Sequence, residues 1–398
     1  MSDGNVEAIT LGPRLLVVDD NEDNRYTLIL RLEIEGYHDI TTADDGKAAL
    51  ELLRTQQFDL VLLDVMMPKV DGYQVLEQLK AEGRLHHIPV IMISALNEID
   101  SVVRCIELGA VDYLSKPFDP VLLKARVGAS LEKKRLRDAV SVHLARIEEE
   151  LEAARQLQLS MVPNVFPPAT AQLPFEIFAM MEPAREVGGD LYDFYEADDG
   201  MLNFLIGDVS GKGVASALFM ARAKNGMRLA TRLLRRADGS APSPADIVAT
   251  VNRELCQDNP GMMFVTLFFG MLDPRTGALR FTNAGHNPPY LLIGDAVTPI
   301  TACKGRPLGV RAGSTYETGE LALASGEAIY LYTDGITEAA NKKDELFTEE
   351  RLEAILCQSA GRPTNAIVNA VTEAVRSFAN GALQSDDITA LAIRRIDV

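Results

Sequence analysis

The sequence is poor in the features that mark secreted, thiolate-metal and membrane proteins. Its 398 residues hold four cysteines, Cys105, Cys256, Cys303 and Cys357, with no Cys-x-x-Cys spacing. A disulfide framework and a zinc-thiolate site are therefore not expected, and a reducing cytoplasm is the expected location. No apolar run approaches the ~20 residues that span a bilayer. Residues 1–10 are polar and lack the apolar centre of a secretion signal. Positive charge is also in short supply: 39 Lys and Arg face 57 Asp and Glu, a formal net charge of -18. That balance argues against nucleic acid or an anionic membrane as the main partner. With no basic helix-turn-helix, it also argues against a transcriptional regulator with a DNA-binding output. Neither a Cys-x5-Arg nor a Ser-His-Asp pattern is evident.

What the sequence does have is carboxylates at the ends of apolar runs, in two sets. In the first third, short apolar runs at 15–18, 60–63, 90–93 and 113–114, with a weaker one near 40–43, alternate with helical patterns near 22–35, 46–56, 71–82, 98–108 and 119–136. Such alternation predicts a doubly wound parallel five-stranded sheet whose functional groups gather at the carboxyl ends of the strands. Asp19, Asp20, Asp64, Ser94 and Lys116 all fall there. Three clustered carboxylates repel one another unless a hard cation such as Mg²⁺ lies among them. One of them is then able to attack a phosphoryl group, with the lysine and the hydroxyl donating to its oxygens.

These residues, with Met66-Met67-Pro68 and Lys116-Pro117-Phe118, resemble a response-regulator receiver domain, here placed at 12–130. The resemblance implies that Asp64 is the phosphoacceptor and that Asp19, Asp20, Asp64 and the Met66 carbonyl hold Mg²⁺. Ser94 and Lys116 would sense the phosphoryl group, and Tyr113 occupies the aromatic switch position. A sensor histidine kinase or a phosphotransfer protein is the implied partner. A degenerate receiver serving only for docking is the rival reading.

Residues 131–163 read as a helical linker: 131–161 contain neither Gly nor Pro and are rich in Leu, Ala, Glu, Arg and Gln. Val140, Leu144, Ile147, Leu151 and Ala154 form a short heptad stripe that Gln158 interrupts. Either the stripe is buried in cis, or it makes a coiled coil joining a homodimer; the dimer is the expectation.

The second carboxylate set lies in 164–398. Apolar runs at 175–182, 203–208, 265–272, 279–284, 289–293, 328–333 and 388–396 are joined in part by short turns, and helical patterns fall at 213–236, 244–257, 349–358 and 364–379. Antiparallel pairing in an α+β sandwich is expected. Asp190, Asp208, Asp334 and Asp386 each sit at a strand end or turn, with no histidine or cysteine cluster beside them. All-oxygen ligation suits Mn²⁺ or Mg²⁺. Several carboxylates around one cleft suit two ions activating a water for phosphoester hydrolysis.

Five motifs carry a second resemblance: Val187-Gly188-Gly189-Asp190-Leu191-Tyr192-Asp193, Gly207-Asp208-Val209-Ser210-Gly211-Lys212-Gly213, Asn283-Ala284-Gly285-His286-Asn287-Pro288, Tyr332-Thr333-Asp334-Gly335 and Asp386-Asp387-Ile388-Thr389. Together they are similar to the PPM family of metal-dependent protein serine/threonine phosphatases, in its SpoIIE/RsbU branch. That implies an αββα sandwich, two Mn²⁺ or Mg²⁺ ions held by Asp190, Asp208, the Val209 carbonyl, Asp334 and Asp386, and a phosphorylated STAS-type anti-sigma-factor antagonist as substrate. Whether Asp386 or Asp387 is the ligand stays open, and His286 is left outside the catalytic set. Gly188-Gly189-Asp190 also begins the signature of a diguanylate cyclase, which would explain none of the four later motifs. A catalytically weak scaffold that binds the antagonist is the further alternative.

Overall fold

A computed structural model of the protein describes residues 12–95, 99–234 and 242–397, apart from the Ile99 side chain. The chain divides into two compact units, one through Ile147 and one from Glu148 onward.

In the first unit, β1 (Leu15–Val18), β2 (Ile40–Ala43), β3 (Leu60–Asp64), β4 (Val90–Ser94) and β5 (Asp112–Ser115) form one sheet in the order β2-β1-β3-β4-β5. Every pairing is parallel. The central strands are buried along their whole length, as a sheet covered on both faces requires. One face packs on α2 (Gly46–Thr55), α3 (Gly72–Ala81) and α4 (Ile99–Leu108) through Leu50, Leu53, Leu76, Leu79 and Cys105. The other face packs on α1 (Glu22–Ile34) and the start of α5 (Pro120–Met161) through Leu28, Leu32, Leu123 and Val127. Asn21, Asp45 and Asp71 cap α1, α2 and α3 with their side chains, which fixes where each helix begins. The expected helix start at 98 lies outside the described residues, as does the end expected at 235–236 for the helix after the Gly-Asp motif.

Helix α5 runs unbroken for 42 residues. Its turns just past 130 are fastened to the parallel-sheet unit: Lys134 pairs with Asp59 at 3.2 Å, and Arg137 donates to the His86 carbonyl at 2.7 Å. Side chains from 136 to 150 are exposed, including Val140, Leu144 and Ile147 of the heptad stripe.

The second unit is two five-stranded antiparallel sheets between helices. One sheet holds β7 (Leu191–Glu196), β8 (Leu202–Val209), β9 (Val265–Leu272), β10 (Ala278–Ala284) and β13 (Gly319–Ala322) in the order β13-β10-β9-β8-β7. The other holds β6 (Phe175–Glu182), β11 (Tyr290–Ile293), β12 (Ala296–Pro299), β14 (Ala328–Tyr332) and β15 (Ile388–Arg395) in the order β12-β11-β14-β15-β6. Phe175, Phe204, Phe268, Phe281, Ile329 and Leu391 fill the space between the sheets. On the outside, α6 (Val214–Leu233) and α7 (Pro244–Leu255) cover the first sheet, while α8 (Asp334–Thr337), α9 (Glu349–Ser359) and α10 (Thr364–Ala379) cover the second. Each fully buried aliphatic or aromatic side chain of these layers contributes roughly 1.5–3 kcal/mol.

Strands β7, β12 and β13 are absent from the sequence expectation. β12 and β13 are short edge strands with alternating or exposed residues. β7 reads Leu-Tyr-Asp-Phe-Tyr-Glu, and its central Asp193 is fully buried, so neither alternation nor apolar continuity marks it.

Candidate active site and phosphoacceptor site

In the first unit, the parallel register brings Asp19, just past β1, and Asp64, which ends β3, to neighbouring strand ends. Asp19, Asp20 and Asp64 each offer a carboxylate oxygen within 4.8 Å of the others'. Asp19 and Asp64 are buried while Asp20 is exposed, so the cluster opens to solvent on one side. Lys116 reaches in from the loop after β5, 2.7 Å from Asp19 and 3.0 Å from Asp64, and the Lys116–Pro117 bond that follows is cis. Burial pushes the Asp64 carboxyl above its usual range; Lys116 opposes this, and Asp19 and Asp20 reinforce it. A hard divalent cation fits three oxygen donors arranged so, because they hold more negative charge than one lysine offsets. Ser94, at the end of β4, is buried, and its side chain shares a hydrogen bond with the Tyr113 hydroxyl. Met66 lies in the loop after β3 with its side chain exposed.

The four strand-end carboxylates of the second unit are placed by two registers. Leu191 pairs with Gly207 across β7 and β8, so one residue further out Asp190 stands across from Asp208. Tyr332 pairs with Ala390 across β14 and β15, so Asp334 and the Asp386-Asp387 pair leave the same end of the other sheet. Hydrogen bonds sew the two sheet ends together. Thr333 donates its hydroxyl to Asp190 at 2.7 Å and accepts from the Thr389 amide at 3.0 Å. Asp387 accepts from the amides of Ala184 at 2.8 Å, Gly189 at 2.6 Å and Asp190 at 3.3 Å.

Asp387 and Asp386 therefore differ in kind. Asp387 is buried and committed to backbone amides, a clamp on the Gly-Gly-Asp turn. Asp386 faces Lys212 at 2.9 Å and is half-exposed. The clamp explains two glycines: a Cβ on Gly188 would lie 2.0 Å from the Asp387 carboxylate, and one on Gly335 would lie 1.9 Å from the Asp387 carbonyl.

No three of Asp190, Asp208, Asp334 and Asp386 bring oxygens as close together as the receiver trio, among the described residues. They share one mouth without converging on one point. Burial pushes the Asp208 carboxyl up to about 7, and Asp334, Asp386 and Asp387 add to the shift. Burial, then Asp208 and Asp387, hold Asp190 well above its usual range. Asp334 is raised by burial, then by Glu338 and Asp386. Val209 closes β8 across from Val265. A spread of carboxylates, short of positive charge and rich in oxygen donors, fits more than one divalent cation.

The partners of several site residues carry no local sequence signal. Gln158, near the end of α5, is buried: it donates to the Gly188 carbonyl at 2.7 Å and accepts from the Gly188 amide at 3.0 Å. Asp193 receives two hydrogen bonds from Arg228, at 2.5 and 2.7 Å, and pairs with buried Lys224 at 3.0 Å, fastening α6 to β7. His286 is buried, accepts or donates at 2.9 Å with the Thr266 hydroxyl, and burial lowers its pKa to about 4. A neutral, enclosed imidazole holds its turn and is not placed to deliver a proton to solvent-borne substrate.

Residues 198–396 match the family described as Stage II sporulation protein E (SpoIIE), and residues 15–128 match the response regulator receiver domain. Protein IcfG of Synechocystis sp. is 31% identical over 274 residues, covering 62% of this chain and 41% of its own length. A probable transcriptional regulator, ycf27 of Cyanidium caldarium, is 43% identical over 125 residues, covering 31% of this chain and 49% of its own. The chain thus spans about half or less of the length of these curated relatives. Among solved structures, the SiaA-PP2C domain of Pseudomonas aeruginosa aligns with a TM-score of 0.54 at 23% identity, over 64% of this chain and 99% of that one. That likeness shows the fold of the second unit.

Proposed function

We propose, for a chain that belongs to the Stage II sporulation protein E (SpoIIE) family and carries a receiver domain ahead of a PP2C-like domain, that it is a protein serine/threonine phosphatase regulated by phosphorylation at Asp64. The observation that carries the reading is the shared mouth of Asp190, Asp208, Asp334 and Asp386, with Asp208 across from Asp190 and its carboxyl pushed up to about 7. Asp190, Asp208, the Val209 carbonyl, Asp334 and Asp386 would hold two Mn²⁺ or Mg²⁺ ions. When bound, these would lower the pKa of a water and offset charge on the phosphoryl oxygens.

The chain's own residues set the geometry. Thr333 orients Asp190, Asp387 fixes the turn that carries it, and Lys212 holds Asp386. In the receiver, Asp64 would accept the phosphoryl group from a histidine kinase or phosphotransfer protein, with Mg²⁺ held by Asp19, Asp20, Asp64 and the Met66 carbonyl, and Lys116, Ser94 and Tyr113 responding to it. The substrate in this reading is a phosphorylated STAS-type antagonist of an anti-sigma factor.

The Gln158–Gly188 pair gives regulation a physical route, since α5 ends in a side chain that grips the Asp190 turn. The exposed Val140, Leu144 and Ile147 favour a second copy of the chain as partner of that helix. We take 131–163 as the linker through which Asp64 phosphorylation alters the pairing or angle of α5.

The test is release of phosphate from a phosphorylated antagonist with Mn²⁺ varied, with and without a small acyl-phosphate donor for Asp64. Mn²⁺-dependent release that shifts with the donor supports the reading. Release indifferent to metal refutes the catalytic part, and release indifferent to the donor refutes the regulatory part.

A further inference from the structure

Beside the carboxylate mouth lies a cavity of about 310 Å³ between the end of α10, α8 and the segment 381–385. Its walls are small and apolar: Ala339, Val375, Ala379 and Ile388, with Leu383 at the rim. Leu383 is 95% exposed, an unusual state for a large aliphatic side chain with apolar neighbours at hand. The charges in the lining, Glu182 and Arg376, are paired with each other.

The cavity is joined to the catalytic residues through two walls. Gly335 lines it and follows Asp334 directly. Ser385 lines it too, precedes Asp386, and gives its carbonyl to Lys212, the lysine paired with Asp386. Between them Gln384 donates to the Asp386 carbonyl at 2.8 Å and to the Glu182 carbonyl at 2.9 Å. The rim is therefore fixed in place rather than collapsed onto the cavity, so no ordering of that segment is needed before something enters.

We infer that this cavity is a specificity subsite that takes an aliphatic side chain of the phosphoprotein substrate, close in sequence to the phosphorylated serine or threonine. The inference rests on the phosphatase reading above. The occupant follows from continuity with the catalytic mouth and from the lining. Glu182 and Arg376, the two charged residues of the lining, already satisfy each other, so a charged side chain finds no free partner there, whereas an aliphatic one meets Ala, Val, Ile and Leu. Burying it adds affinity for the protein substrate without touching the phosphoryl group.

The experiment uses the full chain with Mn²⁺ and three kinds of probe: p-nitrophenyl phosphate, an alanine-flanked phosphoserine peptide, and four variants of that peptide with one Leu within two residues of the phosphoserine. At least one Leu peptide is expected to exceed the parent in kcat/KM by about tenfold, the low end of what one methylene is worth in an apolar pocket. Leu383→Asp, at an exposed position, and Ala379→Trp, which fills the cavity, should each erase that preference while p-nitrophenyl phosphate turnover stays within about twofold. Turnover of p-nitrophenyl phosphate without any Leu preference, or a preference that survives both variants, overturns the subsite. Failure to turn over p-nitrophenyl phosphate at all overturns the phosphatase reading itself.

Discussion

In the receiver, three carboxylates crowd within 4.8 Å and a buried-side lysine reaches two of them; in the phosphatase domain, four carboxylates share a mouth, and their one lysine reaches only Asp386. The receiver has an internal cation that partly stands in for a metal. Lys116 is largely enclosed, whereas Lys212 and Asp386 are each more than a third exposed and so are screened by water. In the second cluster burial, and then mutual repulsion that no enclosed lysine offsets, raises the carboxyls, Asp190 well above its usual range and Asp208 to about 7. The difference teaches that proximity alone does not measure metal need. The looser cluster is the one left with more uncompensated charge.

The largest expected effect breaks the catalytic half of this contrast. Asp208→Asn removes a charge at the centre of the mouth, where Asp334, Asp386 and Asp387 all act on it. Loss of several kcal/mol of charge stabilisation corresponds to about 10³-fold or more in kcat/KM for a model phosphoester. Activity within tenfold of the parent would remove Asp208 from the site.

The second prediction concerns pH. Asp208 has a folded-state pKa of about 7 against an ordinary 3.8, so between those values the folded chain binds more protons than the unfolded one. The contribution of Asp208 to the stability of the metal-free protein is therefore fully present below about pH 4 and falls as pH rises towards about 7, by up to roughly 4 kcal/mol at about 1.4 kcal/mol per pH unit. Thermal melts in a chelator across that window should show this fall as the difference between the parent and Asp208→Asn, Asp190 and Asp334 contributing in the same direction in both. Saturating Mn²⁺, at 100 times its Kd, should return about 2.7 kcal/mol. The same pH dependence in the parent and in Asp208→Asn would contradict the assignment.

Much of both sites was legible because their carboxylates end apolar runs, and strand ends announce themselves by a change from apolar to acidic and glycine-rich sequence. Asp19, Asp64, Asp208 and Asp334 are of that kind. The supporting residues were not legible, since each is defined by a partner far along the chain. Gln158 reads as a flaw in a heptad, yet its fold partner is 30 residues away; Asp387 reads as a duplicate of Asp386, yet it clamps amides about 200 residues distant. Asp193 hid a whole strand, because a charge in the middle of β7 is tolerable only beside Lys224 and Arg228, which lie on α6.

The third prediction sharpens how the looser cluster is held. Thr333→Val keeps the side-chain shape and deletes the 2.7 Å hydrogen bond to Asp190. Residues that orient a metal-binding carboxylate affect metal affinity by about 10–100-fold. The Mn²⁺ concentration for half-maximal phosphate release should rise by that factor, while the rate at saturating Mn²⁺ falls less. Thr333→Ser, which restores the hydroxyl, should recover most of the affinity. An unchanged Mn²⁺ requirement in Thr333→Val would mean that Asp190 is held by the backbone clamp alone.

The smallest effect comes from a matched pair of lysines. Lys116→Met removes the cation that Asp19 and Asp64 share, so a divalent ion entering the receiver no longer competes with it. Two unit charges a few ångströms apart near a protein surface interact by about 4 kcal/mol, much of it offset by solvent and side-chain relaxation. The Mg²⁺ concentration for half-maximal phosphoryl incorporation at Asp64 should therefore drop by about tenfold, even though the final extent suffers from loss of a phosphoryl-oxygen donor. Lys212→Met removes a partner that is itself half in water, for which about 0–1 kcal/mol is the usual worth. Its effect on the Mn²⁺ requirement for hydrolysis should stay below about fivefold. Equal shifts for the two substitutions would show that Lys212 compensates its cluster as fully as Lys116 does, and the contrast between the sites would then lie in carboxylate spacing alone.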